Sequence, residues 1–244
     1  MIEIKNVSKT YNGNVQAIKD LSLTISPGEI VGFIGLNGAG KTTLIKMMTG
    51  IIRPDKGSIR INGYDIVKDG LKAKQIIGYI SDSPDMFLRL TGIEFINFIA
   101  DMYGVEITER KKRIEYFAEQ FHLLDVLDKP MQGYSHGTRQ KMMVIAALVH
   151  NPEVWILDEP LIGLDPKSAL ILKNMMKEHA KSGNTVFFST HVLEIAEKLC
   201  DKVAIIDHGE IVFFGTLEKL KEKYHKKDDL EKLFMEVIQD ESLS

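Results

Sequence analysis

Ile30-Val31-Gly32-Phe33-Ile34-Gly35-Leu36-Asn37-Gly38-Ala39-Gly40-Lys41-Thr42-Thr43-Leu44-Ile45-Lys46-Met47-Met48 decides the fold class. Its first five residues are a mostly apolar run of strand length, its middle is crowded with glycine, and from Thr43 the apolar residues recur at helical spacing. Strand, glycine-rich loop and helix in that order open an α/β unit. Residues 35–42 also fit the pattern G-x-x-x-x-G-K-[ST], in the context that such a match requires. Glycines let the backbone curl so that successive N–H groups converge on phosphate oxygens. The helix start adds partial positive charge, Lys41 reaches the outer phosphates, and the Thr42 hydroxyl suits Mg²⁺. Gly35, Leu36, Asn37, Gly38, Ala39, Gly40, Lys41, Thr42 and Thr43 are therefore candidate nucleotide contacts.

On the N-terminal side, residues 2–7 and 17–25 read as strands, the second by the alternation of Leu21, Leu23 and Ile25; residues 58–62 read as a third. Asn12-Gly13, Pro27-Gly28 and Asn62-Gly63 supply the turns between and after them. On the C-terminal side the pattern changes. Thr91-Gly92-Ile93-Glu94 is a capping box, followed by Phe95, Ile96, Ile99, Met102 and Tyr103 at helical spacing. A second helical face carries Ile114, Phe117, Ala118 and Phe121. Residues from about 86 to 150 thus read as all-helical and end at Asn151-Pro152. Strands at 154–158, 185–189 and 203–207 then alternate with a helix at 166–180, which implies a buried parallel sheet. The expected division is 1–85 with 151–215 as one α/β core, 86–150 as a helical insert, and 216–244 as a C-terminal helical extension. In that extension Leu230, Leu233, Phe234, Val237 and Ile238 would form an apolar face, docked on the chain's own core, with Lys219, Lys221, Lys223, Lys226 and Lys227 as a solvated lysine face.

Length and composition set limits around this core. The chain has 244 residues, 44% apolar and 27% charged, close to the soluble globular average, which excludes disordered, collagen-like and disulfide-scaffold classes. Thirty-one basic residues against 34 acidic give a net charge of -3, so no global field draws the protein to nucleic acid or anionic lipid; such a partner needs a local patch. One cysteine, Cys200, permits no internal disulfide, and the polar opening Met1-Ile2-Glu3-Ile4-Lys5 does not resemble a signal peptide; a reducing cytoplasm is expected. The longest apolar run, residues 142–149, is far short of the roughly 20 needed to span a bilayer, so any membrane span belongs to another chain.

Val154-Trp155-Ile156-Leu157-Asp158-Glu159 is an apolar run ending in two acids. A buried strand delivers carboxylates at its C-terminal end, where an α/β sheet holds a metal or polarises water. Asp158 is the candidate Mg²⁺ partner and Glu159 the candidate general base for an attacking water.

With these motifs stand Ser135-His136-Gly137-Thr138-Arg139-Gln140, Gly163-Leu164-Asp165-Pro166 and Ser189-Thr190-His191. In this order and spacing the chain resembles the ABC ATPase family over nearly its whole length, and is similar to ATP-binding subunits of bacterial transporters of the exporter and Ecs types. The resemblance implies a RecA-like P-loop core with an N-terminal antiparallel β subdomain and an inserted helical subdomain. It implies ATP and Mg²⁺ as ligands, hydrolysis coupled to transport, and a homodimer or heterodimer of ATPase subunits with composite sites. It also implies a separate integral membrane subunit and a peripheral position at the inner face of the cell membrane, without nucleic acid.

Residue by residue, the resemblance gives Ser135 and Gly137 contact with the γ-phosphate on a second subunit, and Asp165 a place at the same interface. It gives His191 a role in positioning the attacking water and Tyr11 an adenine stack. Three departures accompany it. His136 and Thr138 stand where the family has glycine and glutamine, Asp82 follows Gly78-Tyr79-Ile80-Ser81 where a Mg²⁺-touching glutamine is usual, and Leu161 and Ile162 replace small polar residues. Asp82 joins Thr42 and Asp158 as a candidate metal residue. A groove at the entrance to the helical insert, with Asp85, Met86, Phe87, Leu88 and Arg89 exposed, is expected to take a short helix of the membrane subunit. A soluble assembly ATPase of the iron-sulfur type is the alternative. The short stretch between Lys41 and Ser135 leaves no room for the coiled coil of chromosome-maintenance types, and the chain lacks the tandem units of translation factors.

Overall fold

Two sheets form because the chain carries two strand patterns. A computed structural model describes residues 1–82, 87–223 and 234. The alternating N-terminal segments β1 (Ile2–Tyr11) and β2 (Val15–Ile25) pair antiparallel, Ile2 opposite Ile25 and Ile4 opposite Leu23, and bury one face each. β4 (Lys56–Ile61) pairs with the other edge of β1, and the two-residue β5 (Tyr64–Asp65) extends the sheet to the order β2-β1-β4-β5.

The apolar runs build the second sheet. β3 (Ile30–Ile34), β7 (Val154–Leu157) and β8 (Thr185–Thr190) are buried at every position, as a parallel sheet covered on both faces requires. With β6 (Ile77–Ile80), β9 (Lys202–Asp207) and the antiparallel edge β10 (Glu210–Gly215) the order is β10-β9-β3-β8-β7-β6. Alternate residues serve the two faces. Val154, Ile156 and Phe187 join the core shared with the antiparallel sheet and α1 (Lys41–Met48). Trp155, Leu157, Val186 and Phe188 join the core shared with the helices.

Those helices follow from local signals. α2 (Gly70–Gln75) is one short stretch. α3 (Gly92–Met102) starts at the expected capping box: the Glu94 N–H donates to Thr91 Oγ1 at 3.3 Å and the Thr91 N–H to Glu94 Oε2 at 2.8 Å. α4 (Ile107–Phe121) buries Ile114, Ala118 and Phe121. α5 (His136–Leu148) is capped by Ser135, and α6 (Pro166–Lys181) by Asp165 with Pro166 in its first turn. α7 (Leu193–Leu199) and α8 (Leu217–Lys223) complete the set.

The sequence reading did not assign β5, β6, β10, α2 or α7, whereas α8 falls at the start of the expected helical extension. β6 is four residues interrupted by Gly78, and α2 lies behind a turn with no strong periodicity, so the evidence for both is tertiary. Of the C-terminal extension, Phe234 is buried with Ile34, Ala196, Val203 and Leu220. Of the expected lysine face, Lys219 and Lys223 are exposed on α8 and Lys221 pairs with Glu197 at 3.3 Å; Lys226, Lys227, Leu230, Leu233, Val237 and Ile238 lie outside the described residues, as do Asp85 and Met86.

Two histidines are half-buried against the parallel sheet. His150 stacks on Tyr103, ring centroids 3.7 Å apart, with Nε2 3.2 Å from the Ile77 carbonyl oxygen. His179 packs its edge against Trp155. Burial lowers the pKa of each from 6.5 to about 4. The folded chain keeps both neutral while the unfolded chain protonates them, so stability is full above about pH 6.5, falls with pH, and stops falling below about pH 4. Linkage sets the loss at roughly 3 kcal/mol per histidine at most. Urea unfolding at pH 7.5 and 4.5 should show a lower midpoint at acid pH, and His179→Gln should shrink the difference. Equal midpoints would refute the assignment.

Candidate active site

Three neighbouring parallel strands, β3, β8 and β7, deliver the candidate residues at their C-terminal ends, the usual ligand position of an open α/β sheet. β3 runs into the glycine loop. Gly40 has φ 111°, and a Cβ there would lie 2.6 Å from the Ala17 carbonyl oxygen, so both the backbone angle and the space demand glycine. Lys41 follows as the first residue of α1. Its ammonium is nearly buried and donates to the Gly35 carbonyl at 2.7 Å and the Leu36 carbonyl at 3.2 Å. Burial pulls its pKa down, while the charges of Glu159 and Asp158 act the other way.

β7 ends at the two acids. Asp158 is fully buried, and Oδ1 accepts from the Ser189 hydroxyl at 2.5 Å. Oδ2 is buried without a hydrogen-bond partner. Burial raises the Asp158 pKa; the Ser189 and Thr42 hydroxyls beside it pull it back, and the Asp82 and Glu159 charges raise it. An orphaned carboxylate oxygen next to a threonine hydroxyl fits Mg²⁺, a hard cation that takes oxygen ligands and keeps waters or phosphate oxygens in its remaining positions. Thr42 and Asp158 are thus brought together. Asp82 is exposed at the end of β6 and reaches Asp158 through its charge. Among the described residues no group of three or more histidine, cysteine or acidic side chains converges, so an all-protein metal cage is not formed there.

Glu159 adopts φ 47°, a left-handed conformation that costs a non-glycine residue on the order of 1–2 kcal/mol. The strain turns its side chain toward the other two strands. Oε1 lies 3.0 Å from His191 Nδ1 and 3.9 Å from Lys41 Nζ. Its backbone N–H donates to Ser189 Oγ at 2.9 Å. Ser189 therefore holds both acids, the first through its proton and the second through its lone pair. The sequence reading quoted Ser189 but gave it no role; only the pairing of β7 with β8 reveals one. Ser189→Ala should cost about 2 kcal/mol of stability by leaving buried polar groups unpaired and lower turnover about tenfold. Unchanged urea unfolding and unchanged kcat would show that the serine is dispensable.

Ser135 Oγ accepts from the Thr138 N–H at 3.2 Å and lies 2.9 Å from the Thr138 hydroxyl. Gly137 and Gly163 press together: a Cβ on Gly137 would lie 2.7 Å from the Gly163 carbonyl oxygen, and one on Gly163, where φ is 78°, only 2.4 Å from His136 Nδ1. Gln140, nearly buried, donates to the Pro160 carbonyl at 3.3 Å and ties α5 to the loop after β7. Asp165 accepts from the Ser168 N–H at 2.9 Å and hydroxyl at 2.6 Å, and from Lys141 Nζ at 3.0 Å, which hold its carboxyl well below the usual range. Among the described residues no hydrogen bond joins Ser135 or Gly137 to the glycine loop. Tyr11 closes β1 as an exposed ring at the Asn12-Gly13 turn, with Lys9 Nζ 5.9 Å from its centroid.

Comparison with known proteins agrees with this geometry. Residues 18–162 match the family described as ABC transporter. The chain is 36% identical over 239 residues to the ABC transporter ATP-binding protein NatA of Bacillus subtilis (strain 168), covering 96% of this chain and 97% of NatA. It is 35% identical over 243 residues to EcsA, an ABC-type transporter ATP-binding protein of the same strain, covering 99% and 98%. Among solved structures, an ATP-binding subunit of an ABC transporter superposes with TM-score 0.93 at 32% identity, over 97% of this chain and 99% of that one. A dimeric ATP-binding cassette, MJ0796, bound to ADP and Pi superposes with TM-score 0.80 at 25% identity, over 89% and 99%.

Proposed function

This chain belongs to the ABC transporter family as an ATP-binding subunit, and from that premise we propose that two ATPase subunits close on ATP and that hydrolysis at Glu159 reopens them to drive a separate membrane subunit. The observation that carries the reading is the meeting of Lys41, Asp158, Glu159 and His191 at the ends of three adjacent strands. Lys41 and the loop N–H groups hold the phosphates, and Tyr11 stacks on the base. Glu159 Oε1 takes the proton of the attacking water while His191, donating from Nδ1, orients the carboxylate. Bound at Thr42 and Asp158, Mg²⁺ would supply charge neutralisation between the outer phosphates. Ser135 is exposed at the start of α5 with half-buried Gly137 two residues on, the place where a second subunit's γ-phosphate would meet them in this reading. Asp165, held by its cap and Lys141, shapes the same edge. The partner subunit is either a second copy or a related ATPase.

Residues 1–85 and 151–215 form the nucleotide-binding part in this reading, 86–150 face the partner, and 216–244 are a helical extension. Between the two main parts lies a cavity of about 480 Å³, lined by Tyr79, Asp82, Phe87, Phe95, Met143 and His150 among others. Phe98, exposed on α3, lies against the lining Phe87 with ring centroids 5.5 Å apart. The cavity suits a short amphipathic helix of the membrane subunit. Among the described residues no helix is long and apolar enough to cross a membrane, which fits a cytoplasmic, peripheral subunit. Export is the proposed direction, on the exporter-type resemblance of residues 35–42 and of Asp82. Affinity purification of the chain from detergent-solubilised native membranes should recover an integral membrane protein; recovery of soluble partners alone would replace transport with assembly. ATP-driven accumulation of substrate in inside-out vesicles carrying the copurified complex is expected for export, and ATP-driven loss of preloaded substrate from the same vesicles would overturn that direction.

A further inference from the structure

The near-neutral composition leaves anionic lipid as a partner only if a local patch exists, and one is present. Ile66, Val67, Gly70, Leu71 and Lys74 from the segment after β5 face Ile52 and Arg53 from the chain after α1 around a hollow of about 320 Å³. Lys74 lies over Gly50, its Cε 3.1 Å from where a Cβ on that glycine would be. Leu71 is 76% exposed and Val67, on the same hollow, is exposed with it; Arg53 and Lys74 reach solvent at its edge, and Lys68 and Lys72 are exposed on the same segment. Of the two acids of the segment Asp65 is buried and Asp69 is exposed, so Arg53, Lys68, Lys72 and Lys74 outnumber the segment's one exposed acid. Asp65 Oδ1 accepts the N–H groups of Val67 and Lys68 at 2.9 and 3.0 Å, and Asp69 Oδ2 accepts that of Asp65 at 3.2 Å. Asp55, the next acid along the chain, pairs with Lys9 on the other side of the turn. None of Arg53, Lys68, Lys72 and Lys74 forms an ion pair among the described residues. The outer face of this segment is therefore apolar in the middle and cationic at the rim.

We propose that this face docks on the anionic headgroup layer of the membrane. It continues from the groove assigned to the membrane subunit, since Lys46 and Ile51 line that groove and Arg53 follows them; the proposal rests on that reading for its orientation. Leu71 and Val67 insert at the boundary between headgroups and acyl chains, while Arg53, Lys72 and Lys74 meet lipid phosphates. A partner protein covering the same face would need no lipid charge, and the measurement separates the two.

The purified full chain, without any membrane subunit, is floated with vesicles of phosphatidylcholine alone or mixed with phosphatidylglycerol. Binding is expected only to the mixed vesicles and is lost in 0.5 M NaCl. The double variant Arg53→Gln with Lys74→Gln should lower the partition coefficient roughly thirtyfold, the effect of two basic residues at an anionic surface. Leu71→Ser, at a side chain too exposed to affect folding, should lower it about tenfold. Arg53→Lys with Lys74→Arg should retain binding. ATP affinity should stay unchanged in all of them. Absent flotation, equal flotation with neutral vesicles, or wild-type binding by both charge-removing and Leu71→Ser variants would overturn the proposal, whatever the copurification experiment finds.

Discussion

Glu159→Gln should reduce ATP turnover by roughly 10²–10⁴-fold, the usual contribution of a positioned general base, while leaving nucleotide affinity within a few fold of wild type. Glutamine is nearly isosteric, so the left-handed backbone at φ 47°, the N–H donated to Ser189 and the carbonyl-type oxygen facing His191 all survive. What is lost is the lone pair basic enough to take a proton. Phosphate and Mg²⁺ contacts through residues 35–42 and Asp158 are untouched, so the closed state should accumulate. Size-exclusion chromatography with Mg·ATP should show a dimer for the variant where the wild type returns to monomer after hydrolysis. A wild-type rate would remove Glu159 from the base role. A slow variant with no ATP-dependent dimer would separate the chemistry from the closure and leave only the first in place.

How much of this was legible in the sequence depended on the range of each contact. The glycine loop, the Thr91 capping box and the apolar strands 30–34 and 154–157 are local patterns, and each lies where its residues place it. Asp158 and Glu159 were readable as the end of a buried strand. Ser189 as their common holder was not, because its partners are some thirty residues away and become neighbours only when β8 lies between β3 and β7. The same applies to Gly163, where the need for glycine comes from His136 at the start of α5 as well as from its own turn. Asp165 was read through its family likeness as an interface residue; its immediate work is to cap α6 and pair with Lys141, which needs only the Asp-Pro helix start to be seen. The net charge of -3 concealed a cationic face because it sums the whole chain, whereas Arg53, Lys68, Lys72 and Lys74 are exposed with one exposed acid, Asp69, on their segment.

Lys41→Ala should act on the opposite side of the cycle from Glu159→Gln. The ammonium is held by two loop carbonyls and faces Glu159 and Asp158, so one residue both shapes the loop and offsets the two acids. With alanine there, the outer phosphates would approach two carboxylates with no cation from the loop between them. Loss of charge-assisted contacts worth about 3 kcal/mol should raise the ATP dissociation constant on the order of 10²-fold by calorimetry, with turnover falling as a consequence at any fixed ATP concentration. Lys41→Arg restores the charge but not the compact donor geometry that the Gly35 and Leu36 carbonyls select, and should recover only part of the affinity. Unchanged binding by Lys41→Ala would place the phosphates elsewhere than in this loop. The pair of variants is also diagnostic together: Lys41→Ala with Glu159→Gln should fail to dimerise with Mg·ATP, because closure on nucleotide requires the affinity that the lysine provides, even when hydrolysis is blocked.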